Sequence, residues 1–269
     1  MSVVDLTAVP PEADLGAPLA RANPVAKLGA VTAISVVLLL SLDVVTAATA
    51  LALELALLPW CGLPARALWG RVRLVVLAAV PAAVGTALVG VDGGSRIAGF
   101  GPLTVTSGSL LAGAAVLLRI PALALPGVVL LATTDPTDLA DALAQVLRLP
   151  ARFVLSALAA LRLFGVLAQE WEDLTLARRA RGLGEERGAA RVREAFGRAY
   201  ALLVLAVRRA TTLATAMEAR GFGASTTRTW ARRSRFTASD ALVVAGGLAL
   251  GLLATAAGVA AGTWRLLLG

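Results

Sequence analysis

The octet A-R-R-A-R-G-L-G occupies residues 177–184, and it recurs 39 residues later as A-M-E-A-R-G-F-G at residues 216–223. Five of the eight positions are identical, which gives the shared pattern A-x-x-A-R-G-(apolar)-G. Both copies lie in a polar and strongly basic region, whereas the rest of the chain is apolar. We interpret the two octets as the ends of two cytoplasmic helices that dock into a partner, with the remaining chain holding these helices against a membrane.

The composition indicates an integral membrane protein. Hydrophobic residues make up 58% of the chain and charged residues 16%, against about 25% charged in an average soluble domain. The sequence has no histidine and a single cysteine, Cys61. These counts exclude catalysis by Ser-His or Cys-His pairs, an H-E-x-x-H zinc site and an intrachain disulfide. Lys27 is the only lysine, and it does not lie in a phosphate-binding G-x-x-x-x-G-K-[ST] motif, so the chain is not an ATPase of that type.

Apolar runs predict an all-α polytopic fold with about five transmembrane helices. A helix needs about 20 apolar residues to span a bilayer. The candidate runs are 28–42, 44–63, 74–91, 103–134 and 241–261. Residues 92–102 are typical of a turn. For 103–134 we favour one kinked or re-entrant helix over two short helices. Asn23-Pro24 is a typical helix start, with asparagine as the N-cap and proline in the first turn.

Four regions follow from these runs. Residues 1–22 contain acids and prolines without an apolar core, which predicts a disordered cytoplasmic tail rather than a signal peptide. Residues 23–134 form a membrane core of about four spans, and 241–269 contain the last transmembrane helix. Between them, residues 135–240 are expected to form long amphipathic coupling helices.

Between residues 196 and 217, just before and into the second octet, apolar positions recur at alternating steps of three and four residues. This spacing is typical of a helix that packs lengthwise on another helix. The positions are Phe196, Tyr200, Leu203, Val207, Ala210, Ala214 and Met217.

The positive-inside rule sets the orientation. With a cytoplasmic N-terminus, the cytoplasmic segments hold 22 of the 25 basic residues, 17 of them between residues 148 and 235. The sequence therefore predicts a multi-pass protein of the bacterial cytoplasmic membrane, with the N-terminus and residues 135–240 in the cytoplasm.

Each octet has a structural and a functional interpretation. As a helix C-terminus, Gly182 or Gly221 supplies the left-handed cap, and Arg181 or Arg220 complements the negative end of the helix dipole. This accounts for a single copy but not for the recurrence of the preceding turn and the following residues. Arginine at a helix end also pairs well with carboxylates or carbonyl groups of another protein. We favour docking, with the sites Ala180, Arg181, Gly182, Ala219, Arg220 and Gly221.

The sequence resembles the transmembrane T component of energy-coupling factor (ECF) transporters from about Asn23 to Thr229. The resemblance is carried by ordered motifs, namely N-P-x-x-K-L (23–28), T-T-D-P-x-D-L (133–139), L-R-L-P (147–150), A-L-R-L-F (160–164), the two octets and Arg228-Thr229. It implies a non-catalytic subunit that bridges two cytoplasmic ABC ATPases and a membrane subunit (S) capturing a vitamin or metal ion. By this resemblance Arg181 and Arg220 dock one into each ATPase. ATP is then bound by the partner ATPases, and this chain binds no cofactor.

Two other functions are weighed against transport. Nucleic-acid binding by the basic region is disfavoured, because its arginines alternate with Ala and Leu and follow a membrane core. A membrane enzyme acting on a lipid or isoprenoid would need convergent carboxylates, and Asp135, Asp138 and Asp141 are the candidates. An acidic helix start explains these three equally well.

Two charged residues fall within apolar runs. For Arg119 we favour a cytoplasmic or interfacial depth that results from a helix break at Pro121, and the alternative is a functional role in the membrane. For Glu54 we favour an internal polar contact over a proton relay.

Overall fold

The structure is a computed structural model that describes residues 16–41, 43–89, 95–100, 103–182, 188–223 and 229–264. Eight α-helices are present in this part of the chain. They are α1 (Pro24–Leu39), α2 (Val44–Leu57), α3 (Ala65–Val89), α4 (Ser107–Thr133), α5 (Pro136–Gln145), α6 (Ala151–Ala180), α7 (Ala189–Ala219) and α8 (Ala238–Ala260). A single 3₁₀ turn, Leu58–Cys61, extends α2. The predicted all-α polytopic fold is confirmed.

A short antiparallel hairpin departs from this helical pattern. Strand β1 (Arg96–Phe100) pairs with β2 (Leu103–Thr106) in a two-stranded sheet. The sequence predicted a turn over 92–102 and a helix from 103. Both expectations were wrong. Arg96–Phe100 forms a strand rather than part of a turn. Leu103–Thr106 favours a strand because three of its four residues are β-branched, and it resembles a helix only when joined to the apolar run behind it. Thr106 ends β2 and caps α4, exchanging hydrogen bonds with Ser109 in a capping box.

Among the described residues, six helical segments are long and apolar enough to cross a membrane by length and composition. Four of them match predicted spans. The other two lie in α6 and α7, and their predicted cytoplasmic location stays a prediction. α1 has 16 residues and is the short span that the sequence indicated.

One predicted helix boundary changes, and one predicted choice between alternatives is decided. α3 begins at Ala65 rather than near residue 74, so Arg66, Arg71 and Arg73 lie in its first turns and not in a loop. α4 is a single helix that contains both Pro121 and Pro126. The choice of one helix over two is therefore confirmed.

The expected helix break at Pro121 is absent, because α4 continues through this residue, and the predicted cytoplasmic or interfacial depth of Arg119 stays a prediction. Arg119 donates a hydrogen bond of 2.8 Å to the carbonyl of Leu39, the last residue of α1. This bond satisfies one of the carbonyl groups that every helix C-terminus leaves without an intrahelical donor. The position of Arg119 is therefore explained by its contact with α1.

The described residues form two compact units, 16–142 with 234–264, and 143–233. The first unit contains the helical core, in which Ile34, Leu38, Ala50, Ala122, Leu250 and Ala254 cluster. The predicted division at 134/135 and 240/241 differs from these limits, because Ser234 and Asp240 bond to Asn23 and so belong with the core.

Part of the predicted tail is ordered. In residues 16–22, Ala17 is buried and the Leu19 amide donates to the Trp60 carbonyl at 3.3 Å. For these residues the prediction of disorder was wrong. Residues 1–15 lie outside the described part of the chain.

Small residues bring α8 close to its neighbours in the first unit. A Cβ atom on Gly247 would lie 2.8 Å from the Cα, Cβ and carbonyl oxygen of Ala30, and one on Gly251 would lie 2.9 Å from Cβ of Val37. At Gly258 it would lie 2.3 Å from the hydroxyl oxygen of Thr46. Glycines at four-residue spacing thus permit close crossings. Gly262 differs, because it has φ +68° just past the helix end.

Candidate protein-docking site

The first octet forms the exposed end of α6. The helix ends at Ala180, Arg181 is the C-cap residue, and Gly182 follows with φ +73°. The Gly182 amide donates to the carbonyl of Arg179 at 2.9 Å. A side chain would strain this left-handed conformation, so the glycine is required by the backbone. Leu183 and Gly184 lie outside the described residues.

The second octet forms the same kind of end on α7. The helix ends at Ala219, Arg220 is the C-cap residue, and Gly221 has φ +76°. The Gly221 amide donates to Glu218 and the Phe222 amide to Met217, both at 2.9 Å. These two bonds define a Schellman motif. The predicted helix ends and left-handed glycine caps are confirmed at both sites.

The two ends, which we call tip 1 (Ala180–Gly182) and tip 2 (Ala219–Gly221), are uncovered. Arg181 and Arg220 are both exposed. Within the described part of the chain, neither guanidinium has a carboxylate partner. A Cβ atom on Gly182 or Gly221 would meet no atom within 4 Å. The structure therefore explains the glycines by backbone conformation, whereas the arginines have no ion-pair partner among the residues that the structure describes.

The contacts between α6 and α7 show that the two helices are antiparallel. Arg198 of α7 donates to the hydroxyl of Thr175 at 3.0 Å, and its guanidinium lies 5.1 Å from the ring centroid of Trp171. Further along α7, Arg209 forms an ion pair with Glu170. Later positions on α7 thus contact earlier positions on α6.

The two tips are separated along the chain by α7. Tip 1 precedes α7, and tip 2 follows its last residue. α7 has 31 residues and is therefore about 46 Å long at 1.5 Å per residue.

The apolar face predicted on α7 is exposed. Phe196 is 72% and Tyr200 70% accessible, and Leu203 and Val207 are also exposed. The helix that the spacing predicts for this face is therefore not found in the described part of the chain. Large exposed apolar faces mark contacts with other proteins or with lipid.

The motifs at the start of α1 and the end of α4 meet in the first unit. Lys27 donates from Nζ to the carbonyl of Thr133 at 2.8 Å, to the Thr133 hydroxyl at 3.3 Å and to the Ala20 carbonyl at 2.7 Å. All three ammonium donors are thus used. Asn23 caps α1 and donates from its amide to Asp240 at 2.7 Å. N-P-x-x-K-L and T-T-D-P therefore fix the position of α1 relative to α4 and α8.

The first unit also holds an apolar cavity of about 530 Å³ between α1, α2, α4 and α8. Lys27 and Glu54 are among its lining residues. Glu54 is 6% exposed, and neither carboxylate oxygen has a hydrogen-bond partner in the described structure. The predicted internal polar contact of Glu54 is not formed.

The carboxylates considered for an enzyme have a structural role at the start of α5. Asp135 accepts a hydrogen bond of 2.6 Å from the Thr137 amide in the first turn. Asp138 lies in that same turn. In the described residues no group of three or more His, Cys, Asp or Glu side chains is arranged to hold a metal ion. The geometry therefore favours the helix-start interpretation.

Sequence reasoning missed the residues that hold the helix pair together. Glu170, Thr175, Arg198 and Arg209 were not singled out, although each joins α6 to α7. No local pattern marks these residues. Charge complementarity across an antiparallel pair cannot be assigned before the pairing is known.

The comparisons with known proteins agree with the ordered motifs. The family model described as cobalt transport protein (CbiQ) matches residues 16–229. Three relatives are named energy-coupling factor transporter transmembrane proteins (EcfT). The relative from Exiguobacterium sibiricum is 36% identical over 130 residues, 45% of this chain and 49% of its own. The relative from Listeria monocytogenes is 34% identical over 140 residues, 49% and 53% respectively. The relative from Limosilactobacillus fermentum is 31% identical over 155 residues, which are 54% of this chain and 58% of its own. The chain spans about half the length of these relatives.

Proposed function

Since this chain belongs to the cobalt transport protein family (CbiQ), we propose that it is the non-catalytic transmembrane coupling subunit of an ECF-type ABC importer. Its relatives carry the name of the transmembrane protein of an energy-coupling factor transporter, and the predicted resemblance to this component is confirmed. The subunit transmits ATP-driven motion of two cytoplasmic ATPases to a membrane subunit that captures a vitamin or metal ion. ATP is bound by the ATPases.

The observation that carries this proposal is the pair of uncovered tips. Tip 1 and tip 2 have the same backbone conformation, and each presents an exposed arginine. They are separated along the chain by α7. A guanidinium on a rigid helix end suits a groove that offers carboxylates or carbonyl groups. One ATPase on each tip accounts for both the duplication and the separation.

The mechanism follows from the connection between the tips. When ATP closes the two ATPases, the tips approach each other and the crossing of α6 and α7 changes. The exposed apolar face of α7 and the small residues of α6, among them Ala157, Ala160 and Gly165, contact the capturing subunit and change its tilt. A switch of this kind is a two-state element that a ligand in another subunit biases.

The test is co-purification of the complex in detergent. We expect the double variant Arg181→Glu, Arg220→Glu to release both ATPases, because losing one partner of a desolvated charge pair costs on the order of 2–5 kcal/mol. Each single variant should retain more ATPase, since two docking points act together.

The matched control is Arg162→Glu, Arg208→Glu. This variant makes the same change of charge at one exposed position in the interior of α6 and one in the interior of α7, each more than ten residues from the tip of its helix, and it should retain the ATPases. Unchanged co-purification of the tip variant, or equal loss from the control, contradicts docking through the tips.

A further inference from the structure

Helix α3 has two different faces. Leu68, Ala79 and Ala83 are buried on one of them. This face meets α4 closely, because a Cβ atom on Gly113 would lie 2.8 Å from the carbonyl oxygen of Ala83 and 3.0 Å from Cβ of Ala87. The packing leaves the opposite face of α3 without a neighbour in the described structure.

The opposite face carries a regular row of exposed side chains. The side chains of this row follow one another at steps of three and four residues, which keep them on one side of the helix. They are Arg66, Trp69, Arg73, Leu77, Val80, Val84 and Leu88. Trp69 is 65% and Leu77 68% accessible. The row is polar and aromatic over its first two turns and purely aliphatic afterwards. We call it the outer row of α3.

The aliphatic part of the outer row has the length of one bilayer leaflet. From Leu77 to Leu88 the helix rises about 16 Å, and half of a hydrocarbon core is about 15 Å. If this part faces acyl chains, Trp69 and the two arginines reach the headgroup layer. Tryptophan is enriched at this depth, and Trp60, just before α3, is exposed as well.

The two arginines suit a phosphate group. Arg66 and Arg73 lie on either side of Trp69 along the row, both are exposed, and neither forms an ion pair in the described structure. A Cβ atom on Gly70 would meet no atom within 4 Å, so there is open space beside the tryptophan. Guanidinium groups bind phosphate oxygens bidentately, and uncompensated positive charge favours an anionic headgroup over a zwitterionic one.

We propose that the outer row of α3 binds an anionic phospholipid. Arg66 and Arg73 bind its phosphate, Trp69 packs against the glycerol region, and Leu77, Val80 and Val84 contact one acyl chain. The site fixes the depth of the first unit in the bilayer and gives the protein a preference for anionic lipid. It is independent of the proposed contacts at the tips.

The test compares binding of phosphatidylglycerol and phosphatidylcholine with identical acyl chains to the purified full chain, by native mass spectrometry from detergent. The wild type should retain phosphatidylglycerol preferentially. In the variant Arg66→Gln, Arg73→Gln the ratio of phosphatidylglycerol to phosphatidylcholine binding should fall about 20- to 30-fold. Each arginine near an anionic surface strengthens association about fivefold. The variant Arg66→Lys, Arg73→Lys keeps the charges and should retain most of the preference.

A control distinguishes a site from bulk charge. Arg193→Gln, Arg208→Gln removes the same charge from exposed positions of α7 and should leave the preference unchanged. An unchanged preference in the α3 variant, or an equal loss in the control, overturns the proposal. The proposal is also overturned if Arg66→Gln, Arg73→Gln loses a co-purifying membrane subunit while its lipid binding is unchanged. The outer row is then a contact with a protein.

Discussion

At the scale of single residues, Glu54 is a buried carboxyl group without a hydrogen-bond partner in the described structure. Burial of a polar group that forms no hydrogen bond opposes folding. We therefore expect Glu54→Met, which has a similar volume, to raise the free energy of unfolding by about 1–3 kcal/mol. Thermal unfolding in detergent measures this, with Leu53→Met at the adjacent exposed position as the control. A loss of stability in Glu54→Met would show that the carboxyl group has a partner.

Asp43, in the turn between α1 and α2, is a buried carboxyl group that, unlike Glu54, accepts several hydrogen bonds. It accepts hydrogen bonds from the Ser41 hydroxyl, from the Thr46 amide at 3.0 Å and from the Thr263 hydroxyl at 3.2 Å. Burial alone would raise the pKa of Asp43, but these hydrogen bonds outweigh burial and hold the pKa below its ordinary value. The ionised carboxylate is thus the form that the fold stabilises.

This arrangement predicts an acid-dependent stability. A lowered folded-state pKa contributes stability that is present above the unfolded-state pKa of about 3.9 and is lost as the pH falls through the folded-state value. Asp43→Asn should therefore lower the unfolding temperature at pH 7, and its difference from the wild type should shrink below about pH 4. Unfolding curves between pH 7 and pH 2.5 measure the difference. A difference that stays constant over this range would exclude the role assigned to the charge.

At the scale of helices, close packing of α1 and α8 depends on Gly247. A Cβ atom there would meet the backbone of Ala30 at 2.8 Å, whereas one on the adjacent Gly246 would meet nothing within 4 Å. Gly247→Ala should destabilise the protein by about 1–3 kcal/mol through overpacking. Gly246→Ala should be neutral or stabilising by up to about 1 kcal/mol, because alanine favours helix. Equal effects of the two substitutions would contradict this account of the crossing.

Helix ends were the most predictable elements. The ends of α6 and α7 at Ala180 and Ala219 follow from the Arg-Gly pairs, because a left-handed cap requires glycine almost regardless of tertiary context. The start of α3 was not predictable from polarity, since Arg66–Arg73 resemble a loop while the helix continues through them. The hairpin β1–β2 was missed because Leu103–Thr106 was joined to the apolar run that follows it, although the polar stretch 106–109 (T-S-G-S) is typical of a helix start.

Contacts between distant segments were the least predictable part of the site. Lys27 and Thr133 each belong to a recognised motif, yet their hydrogen bond depends on how α1 and α4 pack. Likewise, no local pattern indicates that Arg119 bonds to the end of α1. Periodicity predicted the apolar face of α7 but not that this face is exposed in the described structure.

At the scale of the whole molecule, the proposed coupling requires that tip 1 and tip 2 each engage their own ATPase. A single docking point would leave one ATPase unattached, and its motion would not change the helix crossing. Two points also bind more tightly together than either alone. The central claim is therefore that both tips contact ATPase in one assembled complex.

Site-specific photo-crosslinking tests this claim most directly. A photoreactive residue is placed at position 180, at position 219 or, as a control, at position 200 in the middle of the exposed face of α7, in a complex assembled with its ATPases. We predict ATPase adducts from positions 180 and 219 and none from position 200. Adducts from only one tip, or from neither, would contradict the account.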